Sequence, residues 1–552
     1  MPKMLSKILH FLDKNLLTIL TALLLVVVPL YPKLPLADLL PGYIVRLRLE
    51  DILIAITVLF YFMQLLRRKI ILPTNIVAKL MLGYIVVGFL STLSALFITH
   101  TVPFIPDHIE KIVLHLLRRV EYFSLFFVAY SSLRTRRDLK IFAGVALVTL
   151  FAVVAYGFGQ KYMYWPAFST MNREFSKGMR LYLTPTSRVM STFGGHYDYA
   201  AYLMILLTCL VPAMWLVKNK LAKIGLAILA LGSYWSLLLT ASRTSFGGYI
   251  VGVTAIAILL ATTKGFWWSV RRYSIVMAVS LVMMFTIGDM SERFLQIVQS
   301  PDAIHQYIPW VTTGKIEEKM YETKDFFLKI AELKRSLMEP KAAPPKDGIS
   351  TDQLAQVAVS SDIPPSTEKP LPPDVTAADD LSRHTDVAST SSSAATTVSG
   401  GNYSPNALKY GLSVAIRLDA LWPRAIAAFE KNPLLGTGYS TLVKAENNEF
   451  TQAESTDNDY LRMLGETGLL GTILFLALPL YLSYVAITSY KNARYPLEQV
   501  ILLAMLGASI AMLVNASYID IFESSKVAYT FWLLAALALR AVELTTRRVN
   551  EK

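Results

Sequence analysis

Residues able to do chemistry gather in three short polar stretches, each beside the end of an apolar run. The first covers 187–202 and contains Arg188, His196 and Asp198. The second is Ser242, Arg243, Thr244 and Ser245. The third begins with Thr456, Asp457, Asn458, Asp459, Tyr460 and Leu461 and runs through Glu466 to Gly471. An arginine at a membrane–water boundary offers a planar, permanently charged fork that suits phosphate. Arg188, Arg243 and Arg417 are therefore candidate clamps for a lipid-linked phosphate. The competing reading is that they snorkel to lipid headgroups, as interfacial arginines do. His196 and Asp198 are either a proton-transfer pair or residues that start a helix.

Asp457 and Asp459 admit several readings. Thr456 with Asp459 three residues on has the form of a capping box, with Asp in place of Glu or Gln, and an acidic first turn suits the helix dipole. At about 100° per residue the two carboxylates of a regular helix point to nearly opposite sides. Asp457 then shares a face with Tyr460, Leu461 and Leu464, whereas Asp459 lines up with Arg462 and Glu466, which can pair with each other. The Asp-x-Asp string also has the form of a glycosyltransferase metal motif, a short and weak signal. There is no Walker phosphate loop, no Gly-x-Ser-x-Gly elbow and no His-Glu-x-x-His zinc helix. No cofactor is implied, and no metal site is assigned.

The elements that must position these residues are membrane helices. Of the 552 residues, 54% are hydrophobic and 17% charged, with a mean hydropathy of +0.45. A soluble chain is nearer a quarter charged. Apolar runs of roughly 17 to 25 residues, the length of a bilayer crossing, fall at 15–31, 50–66, 76–98, 112–132, 139–157, 197–216, 224–240, 247–262, 274–288, 464–489, 498–515 and 525–540. The fourth contains Arg118, Arg119 and Glu121, of which Arg118 and Glu121 can pair three apart on a helix. The first reads as an uncleaved span, because it runs into Tyr31, Pro32 and Lys33 without a small-residue cleavage site. The sole cysteine, Cys209, lies inside a run and reads as a packing residue.

The formal charge of +13 sits in short clusters between runs, a loop pattern that argues against nucleic acid as a partner. Clusters at 67–69, 134–140, 218–223, 264–272, 491–494 and 547–552 all fall on one side when twelve spans are counted from an inside N-terminus. The positive-inside rule makes that side cytoplasmic and puts both termini there. Residues 33–49, 100–110, 159–195, 241–246, 289–460 and 516–524 are then extracytoplasmic, and all three polar stretches lie on that face. The chain divides into an N-terminal membrane region (1–288), a large loop (289–460) and a C-terminal membrane region (461–552). Within the loop, 317–337 reads as an interfacial helix, and 339–404 as a disordered insertion of Pro, Ser, Thr, Ala and Asp. An amphipathic helix begins at Arg417 and stops at Asn432 and Pro433, before a tight turn at 435–438.

In this order and at these positions, the motifs resemble the O-antigen ligase and polymerase family of bacterial envelope glycan assembly. Arg188 to Tyr202 resembles the family's arginine and small-residue helix start, and Ser242 with Arg243 resembles its serine–arginine turn. Arg417 to Trp422, with the following 432–438, resembles the segment after the large loop. Residues 457–461 and 465–471 are the closest match. The resemblance covers most of the chain in topology, but its specific motifs cover only about 185–255 and 412–475.

The resemblance implies an all-α polytopic bacterial inner-membrane protein of about twelve helices and GT-C-like fold. It implies transfer of glycan from an undecaprenyl-pyrophosphate carrier to an acceptor hydroxyl of glycan, lipid or protein, without metal and with inversion. In the ligase branch, arginines at positions resembling Arg243 and Arg417 hold the pyrophosphate, and the general base is a histidine at the position of Asp457. That departure leaves ligase and polymerase both open, since a carboxylate can also accept a hydroxyl proton. Arg188, His196, Asn458, Asp459 and Tyr460 are expected to contact substrate. Two other readings stand beside this one: a protein O-oligosaccharyltransferase, and a non-enzymatic flippase for lipid-linked glycan.

Overall fold

The computed structural model describes residues 2–39, 46–171, 175–184, 187–286, 349–350, 414, 416–442 and 455–550. Long helices occupy all twelve apolar stretches: α1 (Pro2–Leu30), α2 (Leu49–Leu66), α3 (Ile76–Phe97), α4 (Pro106–Ser132), α5 (Arg136–Met163) and α6 (His196–Leu216). They continue as α7 (Lys220–Leu239), α8 (Arg243–Lys264) and α9 (Phe266–Thr286). After the short α10 (Trp422–Lys431) come α11 (Asp459–Tyr490), α12 (Pro496–Ala516) and α13 (Ser525–Asn550). Among the described residues, strands are limited to two-residue pairs, one of which joins Leu181–Tyr182 to Ile349–Ser350. The helix expected over 317–337 and the rest of the 339–404 insertion lie outside the described residues.

Ten of these helices are long and apolar enough to cross a membrane. The exceptions are α1, whose apolar part Asn15–Leu30 is short, and α4, which is interrupted by charge. Within α4 the expected local pair is present, with Arg118 Nη1 3.3 Å from Glu121 Oε2 and 3.4 Å from Asp51 Oδ1 of α2. Tyr529 of α13 donates to Glu121 Oε1 at 2.6 Å, so the buried charges are shared among three helices rather than facing lipid.

The centre of the bundle is α6, α12 and α13, each buried over most of its length, whereas little of α9 is buried. Helix α8 lies against α12 with small residues at the contact. A Cβ on Gly252 would stand 2.6 Å from the Gly507 carbonyl oxygen, so this approach needs a residue without one. The close packing brings the start of α8 to the last turn of α12, where Asn515 bonds Ser245 of the second polar stretch.

Candidate functional site

The connector 517–524 organises the polar residues, and its own placement is set by apolar burial. Ile521 and Phe522 point into the core, where the Phe522 ring meets Phe475 at 4.9 Å and Phe531 at 5.6 Å in edge-on contacts. Anchored there, the connector turns Asp520 toward the start of α11. Asp520 Oδ1 accepts from the Asn458 amide at 2.7 Å and from Thr456 Oγ1 at 2.9 Å. Its Oδ2 accepts from the Thr456 amide at 2.9 Å and Arg462 Nη1 at 3.0 Å, with Ser455 Oγ at 2.9 Å. Burial raises the pKa of Asp520, but the Arg462 guanidinium and these donors outweigh it and hold the carboxyl below its ordinary range.

The start of α11 differs from the capping box read in the sequence. The cap is Asn458, whose side chain accepts from the Leu461 amide at 3.1 Å. Asp459 does not reach back to Thr456; its Oδ2 accepts the amides of Ile521 and Phe522 at 2.8 and 3.1 Å. Asp457 lies outside the helix with φ +50°, so the helical face assigned to it does not exist. In that left-handed conformation its carboxylate reaches Arg417, Nη2 to Oδ2 at 2.9 Å. Arg417 begins a wide turn, Arg417–Leu421, that leads into α10. Its guanidinium lies 4.1 Å over the ring of Tyr518. The carboxylates of the Asp-x-Asp string thus serve different partners, a guanidinium and two backbone amides.

Below this turn, Arg462 pairs with Glu466 at 3.3 Å, as the spacing predicts, and with Glu523 at 3.8 Å. Arg119 of α4 pairs with Glu523 and lies 3.7 Å from Glu466. The loop after α10 is stitched to α11 by backbone bonds: Thr437 and Gly438 donate to the carbonyls of Gly465 and Glu466 at 2.9 and 3.0 Å, and Leu469 donates to Pro433 at 2.8 Å. The contact requires Gly468, which breaks the helix at φ 64°, ψ −165° and leaves no room for a Cβ against the Leu434 backbone.

The last turn of α12 and the connector between α12 and α13 reach the other two stretches, the second through Asn515 and the first through Ser524. Ser242 caps α8 by accepting from the Ser245 amide, and Ser245 Oγ accepts from Asn515 Nδ2 at 2.9 Å. Asn458 Nδ2 donates to Ser517 at 3.0 Å, and Tyr460 Oη donates to Leu513 at 2.6 Å. Arg243, next to the cap, is exposed. On the far side, Asp198 bonds Ser524, and Lys33 Nζ lies 2.5 Å from Ser525 Oγ and 2.8 Å from Glu50 Oε1. Lys526 Nζ donates to the carbonyls of Tyr31 and Thr192 at 2.6 and 2.8 Å. Burial lowers the Lys33 pKa against the pull of Glu50. Arg188 Nη1 and His196 Nε2 are 2.9 Å apart, so His196 pairs with arginine while Asp198 turns to the connector.

The structure thus brings Arg417, Asp457, Asn458, Asp459 and Tyr460 together, ties the Ser242 turn to the end of α12 through Asn515, and holds Arg188 and His196 as a separate pair. Sequence reasoning missed Tyr518 and Asp520. The only available signal was a polar connector on the same predicted face as the three stretches. No curated protein matches the chain. Residues 409–476, which hold Arg417, α10, the stitched glycine turns and 457–460, match the family model Wzy_C, O-antigen ligase, so the assembled part of the site in this multi-pass membrane protein is the segment similar to O-antigen ligases.

Proposed function

We propose that the protein transfers glycan from a polyprenyl-pyrophosphate donor to an acceptor hydroxyl at the outer face of a bacterial inner membrane. In this reading all twelve helices cross the bilayer in a GT-C-like arrangement, and both termini are cytoplasmic. The observation that carries it is the ion pair of Arg417 with Asp457 inside the segment matching the O-antigen ligase model. An anion-binding guanidinium and a proton-accepting carboxylate stand together at a helix end, on the predicted outer face.

Arg417 and Arg243 hold the pyrophosphate, with Arg188 assisting from its own pair, and Asn458, Asp459, Tyr460 and His196 frame the substrates. The acceptor oxygen bonds to the anomeric carbon as the bond from that carbon to the pyrophosphate oxygen breaks. The electron pair leaves on the pyrophosphate, where the arginines stabilise the growing charge, and the hydroxyl proton passes to Asp457. No metal is needed for this sequence.

The test uses purified protein with undecaprenyl-pyrophosphate oligosaccharide and EDTA, with products read by gel and mass spectrometry. Longer lipid-linked glycan identifies a polymerase; single transfer to added lipid or protein identifies a ligase. Alanine at Arg243 or Arg417 is expected to abolish either product at unchanged membrane abundance. Wild-type rates in both variants would overturn the assignment, and rescue of an EDTA-silenced enzyme by manganese would return the Asp-x-Asp string to metal binding.

A further inference from the structure

We infer that Asp520 is a positioning residue for Asp457, setting the turn from which that carboxylate reaches Arg417 and the acceptor. The inference rests on the glycan-transfer reading above and extends it to a residue outside the matched segment.

Asp457 sits at φ +50°, a left-handed conformation that is uncommon for a residue with a Cβ, although aspartate adopts it more readily than most, and its neighbours hold it there. The restraint comes from both sides of it and converges on Asp520. Before Asp457, the Thr456 amide and hydroxyl are each 2.9 Å from the Asp520 carboxylate. After it, the Asn458 amide is 2.7 Å away. Ser455 Oγ stands between the two acids, 2.8 Å from Asp457 Oδ1 and 2.9 Å from Asp520 Oδ2. Its single proton serves one carboxylate at a time, so the hydroxyl ties their orientations together. Asp520 is fixed in turn by Arg462 Nη1 at 3.0 Å and by its buried neighbours Ile521 and Phe522.

The geometry explains why an acid is needed at 520. Two backbone amides and a guanidinium present hydrogens to it, joined by the Ser455 and Thr456 hydroxyls when these turn from their other acceptors, Asp457 Oδ1 and the Asn458 carbonyl, and a carboxylate has acceptor sites only. Asparagine would turn an NH₂ group toward one set of donors and remove the charge facing Arg462. The turn would then loosen, and the Asp457 carboxylate would lose its aim without leaving the protein.

The experiment compares wild type, Asp520→Asn and Thr456→Val in purified, folded protein. A misplaced reacting group costs about 100-fold, so Asp520→Asn is expected to lower kcat by about that factor with the donor KM unchanged, a split that marks lost transition-state stabilisation. The acid limb of the pH–rate profile, set by Asp457, should persist at the lower plateau and disappear only in Asp457→Asn. Amide hydrogen exchange should speed up at Thr456 and Asn458 in Asp520→Asn and stay unchanged inside α11. Wild-type kcat in folded Asp520→Asn would overturn the inference. If that variant does not fold, Thr456→Val decides: a lower kcat with α11 still protected supports the role, and a wild-type kcat removes it. If wild type transfers no glycan from polyprenyl pyrophosphate, the functional reading fails, and exchange at Thr456 and Asn458 alone decides whether Asp520 sets the turn.

Discussion

Arg417 and Asp457 neutralise each other, with the guanidinium 2.9 Å from the carboxylate and its face over Tyr518. Arg417 is largely buried, while Asp457 keeps about a quarter of its side chain exposed (27%). The carboxylate therefore occupies the place that a phosphate would take on the arginine. A pyrophosphate, with more charge and more oxygens, can displace it.

In the proposed mechanism, Asp457→Asn frees Arg417 for the donor while removing the proton acceptor. Donor affinity should be unchanged or tighter, and transfer should fall by about 10²–10⁴, the range for general bases. Photo-crosslinking with a polyprenyl-pyrophosphate analogue, beside a transfer assay, reads both. Weaker donor capture in Asp457→Asn would contradict this competition.

The two arginines proposed to hold the pyrophosphate, Arg243 and Arg417, should separate when stability is measured. Arg243 is exposed, so Arg243→Ala should change stability by less than about 0.5 kcal/mol. Arg417→Ala removes a charge-assisted bond and the cover over Tyr518, a loss on the order of 1.5–3 kcal/mol before solvent screening at Asp457 reduces it. Thermal unfolding in detergent distinguishes the two, and equal midpoints would show that the pair with Asp457 adds little.

Gly468→Ala tests the stitched turn. The backbone angle there is open to glycine alone, which costs another residue about 1–3 kcal/mol, and the added carbon would meet the Leu434 backbone. A lower unfolding midpoint and reduced membrane abundance are expected, with activity lost in proportion. A stable, fully active Gly468→Ala would mean that 432–438 does not pack on α11 as described.

Asp520 predicts an acid limit to stability. Its folded pKa lies below its unfolded value of 3.8, so its contribution is fully present above that value and is lost as pH falls through the folded pKa. Arg462 favours the charged form, while Asp459 and Glu523 face the same pocket as further acids. Unfolding midpoints between pH 7 and pH 3 should drop at the acid end in wild type and less in Asp520→Asn, which starts lower. Parallel curves would place the acid limit elsewhere.

What the sequence determined by itself is what neighbouring residues decide. Apolar runs of bilayer length became helices at all twelve places. The Arg462 and Glu466 spacing became an ion pair, as did Arg118 with Glu121, because a helix fixes which side chains meet at three and four residues. The stop at Asn432 and the tight turn after it also follow from local backbone preference. Tertiary structure decided the site. Thr456 and Asp459 had the form of a capping box, yet each found its partner in the connector about 60 residues away, where buried Ile521 and Phe522 hold the competing donors and acceptors in place. Asp457 was read on a helical face and instead stands in a left-handed turn aimed at Arg417, 40 residues earlier. Periodicity and capping are short-range rules; a buried polar group takes the partner that packing places beside it, and the packing of Phe522 on Phe475 and Phe531 joins separate helices.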